Sequence, residues 1–324
     1  MRACSAQALL VLIITSPGRL VMMLRGPLFL LSPAKTLNFD SALSVPLRTA
    51  SVTQPRFAAQ SSEIASELSK LSCAQIKSLM SLSDSLAALN HGRFAKFDEH
   101  PGRAALGAFE GAAYKGLDAP SLDKDELAYL QGSLRILCGL YGVLLPFDEI
   151  RPYRLEMSTR LKVGQHASLY QFWGSDITNS LRDELSTRPE GAAKFVLNVA
   201  SQEYAKAVDL SALGVPVITA VFPGPAVHAK QARGSMVRFC ARERVMEPGA
   251  LTAFSGEAGE WAYVPGESTA SRYVFHRSAG GANKTPSAVS RAVKRKTADA
   301  EEGTAAARSA RKTAGAASSR ATRR

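Results

Sequence analysis

The chain has 324 residues, 46% of them hydrophobic, so a substantial core is expected, in one large domain or two small ones. Its net charge of +12 points toward nucleic acid, yet residues 281–324 carry a net +8 and residues 1–26 a net +3. The remaining +1 on residues 27–280 excludes a uniformly basic folded body, so any nucleic-acid surface there has to be a local patch.

Residues 1–26 form an N-terminal extension whose apolar run, Ala8 to Ile14, is too short to span a membrane. It reads equally as a targeting segment or as sequence upstream of a start at Met22 or Met23. Leu28–Leu31, flanked by Pro27 and Pro33, suits a short buried strand. Ile64, Leu68 and Leu71 have helical spacing, and Ser72 with Gln75 forms a capping box for a helix carrying Ile76, Leu79 and Met80. Asp123 with Glu126 caps another helix, whose pattern runs through Leu127, Leu130, Leu134 and Leu137 into Gly139. Ile177, Leu181 and Leu185 mark a further amphipathic helix. Residues 195–200, 215–222, 261–264 and 272–275 read as strands, the first two buried. Strands and helices mix without regular alternation, which predicts a single mixed-sheet α/β domain over 27–280 rather than a doubly wound fold. Residues 281–324 lack apolar bulk and are expected to be a basic disordered tail that either coats DNA, directs nuclear targeting or simply solubilises the chain. No transmembrane span and hence no membrane partner is read.

Cys4, Cys73, Cys138 and Cys240 form no C-x-x-C pair and read as reduced thiols, Cys138 as a small buried hydrophobe, with redox sensing a minor alternative. The five histidines show no metal-ligand spacing, and no dinucleotide or hydrolase motif occurs, so neither metal nor cofactor is expected.

Four groups of residues can carry chemistry. Gly139-Leu140-Tyr141-Gly142, read as closing one helix and opening the next, offers backbone amides to a phosphate, with Arg135, Arg151 and Arg154 neutralising charge nearby; a glycine C-cap with solvated arginines is the plainer reading. Arg151-Pro152-Tyr153-Arg154-Leu155-Glu156 can hold a phosphate or carboxylate, or can form a structural ion pair. Lys35 lies just past a strand end, where open α/β sheets place ligand contacts, although no glycine cradle makes it a Walker loop. The helix holding Lys230, Arg233 and Arg238 is the best basic patch in the folded part, set against a solvated helix face. Asn198, Ser201 and Tyr204 are candidates for a ligand pocket, with Ser201 as a helix cap and Tyr204 in the core as the favoured reading.

Ordered blocks across Leu28 to Arg277 carry a resemblance. They include Leu30-Leu31-Ser32-Pro33-Ala34-Lys35-Thr36-Leu37, Leu82-Ser83-Asp84-Ser85-Leu86-Ala87-Ala88-Leu89-Asn90 and the Gly139–Met157 stretch. Leu197-Asn198-Val199-Ala200-Ser201-Gln202-Glu203-Tyr204 and Ala229-Lys230-Gln231-Ala232-Arg233-Gly234 complete the set. Together they resemble the YaaA peroxide-stress family. The resemblance implies a mixed α/β fold, a cytoplasmic setting, and binding of duplex or branched DNA through a helix-hairpin-helix element, placed here at Gly139–Gly142. The tail and the N-terminal extension leave a nuclear or organellar address open. Two departures stand out: Leu145 replaces the arginine usual before Pro146, and a Pro223-Gly224-Pro225 turn replaces a longer segment before Lys230.

Two functional hypotheses follow. One is a DNA-binding protein of the peroxide response that reads phosphates with little sequence preference. The other is an enzyme acting on a nucleobase or nucleotide-like ligand, built from Lys35, Tyr153, Arg154, Glu156, Asn198 and Lys230 if these converge.

Overall fold

The computed structural model describes residues 26–278, so the expectations for residues 1–25 and for the basic tail lie outside the described residues. A seven-stranded sheet has the order β10-β11-β9-β8-β1-β5-β6. Its strands are β1 (Leu28–Leu31), β5 (Leu134–Cys138), β6 (Gly142–Leu144), β8 (Val196–Asn198), β9 (Val217–Val221), β10 (Trp261–Tyr263) and β11 (Arg272–Arg277). β11, β9, β8, β1 and β5 run parallel, while β6 and β10 return antiparallel at the two edges. Two small antiparallel pairs, β2 (Thr36–Leu37) with β4 (Phe109–Glu110) and β3 (Arg103–Ala104) with β7 (Glu149–Ile150), lie apart from this sheet. The fold is the mixed α/β one expected from the chain.

Central parallel strands are covered on both faces and therefore read as unbroken apolar runs. β1 is Leu-Phe-Leu-Leu with every residue buried, and all five residues of β5 are buried. β9, nearer the edge, alternates between half-buried and buried positions.

One predicted element is corrected. The helix that starts at the Asp123–Glu126 capping box ends at Ser133, and Leu134, already extended at φ −85° and ψ 134°, begins β5. Leu127 and Leu130 belong to the helix, whereas Leu134 and Leu137 belong to a strand paired with β1. A buried strand following a helix keeps its apolar residues dense, so spacing alone cannot place the boundary. Gly139–Gly142 is accordingly the turn of a β-hairpin between β5 and β6, and residues 134–157 contain no helix-hairpin-helix. Both glycines are required sterically. Gly142 has φ +68°, and a Cβ there would lie 2.8 Å from the Trp173 ring; one on Gly139 would lie 2.9 Å from the Leu155 carbonyl.

The chain builds β5 and β6 on one side of β1 and then crosses to lay β8, β9 and β11 on the other. In an open α/β sheet that reversal leaves a crevice beyond the carboxyl ends of the two strands that flank it, here β1 and β8.

Candidate anion-binding cleft

Two serines tie the strand ends at this crevice. The Ser201 amide donates to Ser32 Oγ at 2.8 Å, and the Tyr114 hydroxyl donates to the Ser32 carbonyl at 3.2 Å. Asn198 is buried and structurally occupied: its Oδ1 accepts from the Ala200 amide at 3.1 Å and its Nδ2 donates to Thr219 Oγ1 at 3.3 Å. Ser201 does stand at the helix N-cap, but its side chain makes no cap bond there.

Beneath the rim lies a phenol-rich core. The Tyr153 hydroxyl and Cys138 Sγ are 2.8 Å apart, and Tyr114 and Tyr204 share the neighbourhood of the same thiol. Burial pushes the Cys138 thiol up to about 11 and raises all three phenols, so each remains a neutral donor. Cys138 is a buried small group whose proton is held, the opposite of a reactive thiolate.

The segment after β7 passes close to Gly139, just beyond β5. Glu156 Oε1 forms ion pairs with Lys35 Nζ at 3.1 Å and Arg154 Nη2 at 3.2 Å. These groups line a cleft of about 530 Å³, with Ser158, Thr159 and Arg160 on the same segment and Ser78 to Ser81 opposite. Three cations face one carboxylate in this lining. The opposite wall is the last turn of helix Cys73–Met80, terminated by Ser81 in the left-handed region at φ +51°. Its capping box is formed as the sequence predicts, with Ser72 and Gln75 bonded reciprocally. Arg160 and the serine wall had no place among the sequence candidates; the polar run Ser158-Thr159-Arg160, one residue beyond Glu156, was the available signal.

Several sequence candidates lie outside the lining of this cleft. Arg135 is 5% exposed and clasps Glu184, with Nε 2.8 Å from Oε2, and it also donates to the carbonyls of Gln131 and Leu134. Arg238 is buried and bound to Asp118, Glu257 and the Ser121 hydroxyl. Gly139, Tyr141 and Gly142 are buried; the Tyr141 amide points at Cys138 Sγ, and its hydroxyl accepts from the Arg151 amide at 3.0 Å. Arg151 sits over the Phe97 ring at 5.9 Å. Lys230 is exposed and Arg233 half-buried on helix Ala226–Glu243, and neither lines the cleft. The other arginines at the end of that basic stretch serve the fold, Arg242 beside Glu126 at 3.8 Å and Arg244 bonded to the Asp125 carbonyl. Of the residues weighed for catalysis, Lys35, Arg154 and Glu156 therefore meet, while Tyr153 lies under them and Asn198 is engaged at the β8 end.

Fold and cleft define the class: an α/β protein with a parallel central sheet and an open, cation-lined cleft beside its carboxyl edge. Residues 28–265 match the family model described as peroxide stress protein YaaA. UPF0246 proteins of Burkholderia vietnamiensis and Burkholderia cenocepacia are each 42% identical over 265 residues, spanning 78% of this chain and 99% of theirs. A UPF0246 protein of Burkholderia multivorans matches to the same extent. The chain belongs to the YaaA peroxide-stress family, and is on that ground a peroxide-stress-related protein.

Proposed function

We propose that this protein serves the peroxide response by binding DNA, duplex or branched, with backbone phosphates held in the Lys35–Arg154–Arg160 cleft. The observation that carries this reading is the convergence of three cations on one open cleft in a body that is otherwise nearly neutral. Phosphate contacts of this type give affinity without sequence preference and weaken steeply with salt. The Thr159 hydroxyl supplies an uncharged donor at the same wall, while the Ser158 hydroxyl is given to Glu203 Oε1 at 2.8 Å. The role assigned at first to the Gly139–Gly142 amides passes to side chains, because those amides sit in a buried β-turn.

A charge reversal tests it. Arg160 is exposed and makes no ion pair among the described residues, so Arg160→Glu should leave the fold intact. Binding through the cleft predicts a loss of DNA affinity of about tenfold or more in gel-shift titrations at moderate salt. Unaltered affinity would remove the cleft from the DNA path.

A further inference from the structure

The cationic cleft does not end at Arg160. A second cavity of about 360 Å³ adjoins it and shares Ser78, Leu79 and Arg160 with the first. The chemistry changes across that shared edge. On one side the walls are Lys35, Arg154 and Glu156; on the other Leu71 and Leu161 join the shared Leu79, with Glu67 and Lys162 also in the lining. Both volumes fall in the range of small-molecule sites. A ligand filling both arms is anionic at one end and flat or apolar at the other.

We infer that the two arms together seat one whole nucleotide, its phosphate among Lys35, Arg154 and Arg160 and its base against the leucine floor. The inference rests on the DNA reading above and names what that site takes in. Arg160 stands where sugar and base meet, and a guanidinium can bond a phosphate or stack on a base plane. Leu161 is 4% exposed and fixes the floor, while Leu71 and Leu79 are half-buried and leave apolar surface toward the cavity. Gln75 borders the same arm; its Oε1 is engaged by the Ser72 amide, and its NH₂ has no acceptor among the described residues, so donors for a base edge stand there. A nucleotide reaches these arms either free in solution or swung out of a duplex, at a cost least for mismatched or unpaired bases.

The experiment uses the full chain and two probes. The first is a duplex carrying 2-aminopurine in an unpaired position, read by fluorescence for unstacking and by anisotropy for binding. The second is a calorimetric comparison of dAMP with deoxyribose 5-phosphate, which differ only by the base. Leu79→Gln removes the apolar wall on a half-exposed helix position, and Leu79→Met restores it. A base seat predicts 2-aminopurine brightening on saturation, or dAMP binding about tenfold tighter than the sugar phosphate. Leu79→Gln abolishes either effect and Leu79→Met retains it. Brightening assigns the extruded base, and base-dependent dAMP binding without DNA binding assigns a free nucleotide and overturns the DNA reading alone. DNA binding without brightening, joined to equal affinities for dAMP and deoxyribose 5-phosphate, overturns the base seat and leaves the DNA reading standing.

Discussion

Lys35 Nζ lies 3.1 Å from Glu156 Oε1, pinning the loop after β1 to the segment after β7. The same oxygen lies 3.2 Å from Arg154, so one carboxylate oxygen occupies the point where two cations converge. Lys35 is 58% exposed at its side chain, and pairs this open contribute little to stability. A phosphate oxygen can therefore replace the carboxylate at small cost to the fold.

Glu156→Gln should accordingly strengthen DNA binding, by about two- to tenfold at low salt, because it removes a competing anion and keeps the shape. Anisotropy titration reads the change directly. Weaker binding in this variant would mean that Glu156 organises the cations for the ligand rather than competing with it.

Arg135 and Glu184 make a different kind of pair. Burial alone would raise the Glu184 carboxyl, but Arg135 and then Arg188 overcome it and hold that carboxyl below its ordinary value. A depressed carboxyl contributes stability that is present above its unfolded pKa and lost as pH falls through the folded one. Glu184→Ala strands two buried guanidiniums and is expected to cost about 3–5 kcal/mol in urea denaturation, with DNA affinity of the folded fraction unchanged.

Asp148 has the opposite sign. It is 1% exposed, and burial raises its pKa to about 6 despite bonds from the Thr53 hydroxyl at 2.5 Å and the Leu145 amide at 2.8 Å. A raised carboxyl contributes stability below its unfolded pKa and loses it as pH rises through the folded one. Between pH 4 and 7 this group should withdraw about 2–3 kcal/mol. Asp148→Asn keeps an acceptor for the Leu145 amide and can donate to the Thr53 oxygen, so thermal melts across that range should lose this component of the slope. A slope identical to wild type would assign the pH dependence elsewhere.

Helix Ala226–Glu243 crosses helix Ala112–Leu117 at two glycines. A Cβ on Gly234 would collide with the Ala113 carbonyl and one on Gly116 with the Gln231 carbonyl, both backbone atoms that cannot swing away. Gly234→Ala should therefore lower stability by about 2 kcal/mol or more, read as a fall in melting temperature. Tyr114, on the shorter helix, holds the Ser32 carbonyl just beyond β1, so the crossing also fixes the start of the loop that carries Lys35.

Capping boxes at Ser72 and Asp123, the buried β1 run and the β8 and β9 strands were legible because each rests on local chemistry or on a period within one element. The β5 boundary was not, since Leu134 and Leu137 continue a helical spacing while their partners lie far away in sequence. The arginines follow the same logic. Arg135, Arg151, Arg154 and Arg238 look alike as letters, and only the positions of Glu184, Phe97, Glu156 and Glu257 decide which of them faces inward. Glycine pairs were ambiguous for a related reason: Gly139 and Gly142 fit a helix cap or a hairpin turn, and the Trp173 ring and Leu155 carbonyl that demand glycine come from elsewhere in the chain.

The most direct measurement is the salt dependence of DNA affinity for the full chain beside the double variant Lys35→Ala, Arg154→Ala. Phosphate binding in the cleft predicts a drop in affinity of about tenfold or more and a salt slope shallower by about two, one for each lost contact. Identical affinity and slope in the two proteins would contradict it and leave residues 281–324, with their net charge of +8, as the DNA-binding part of the chain.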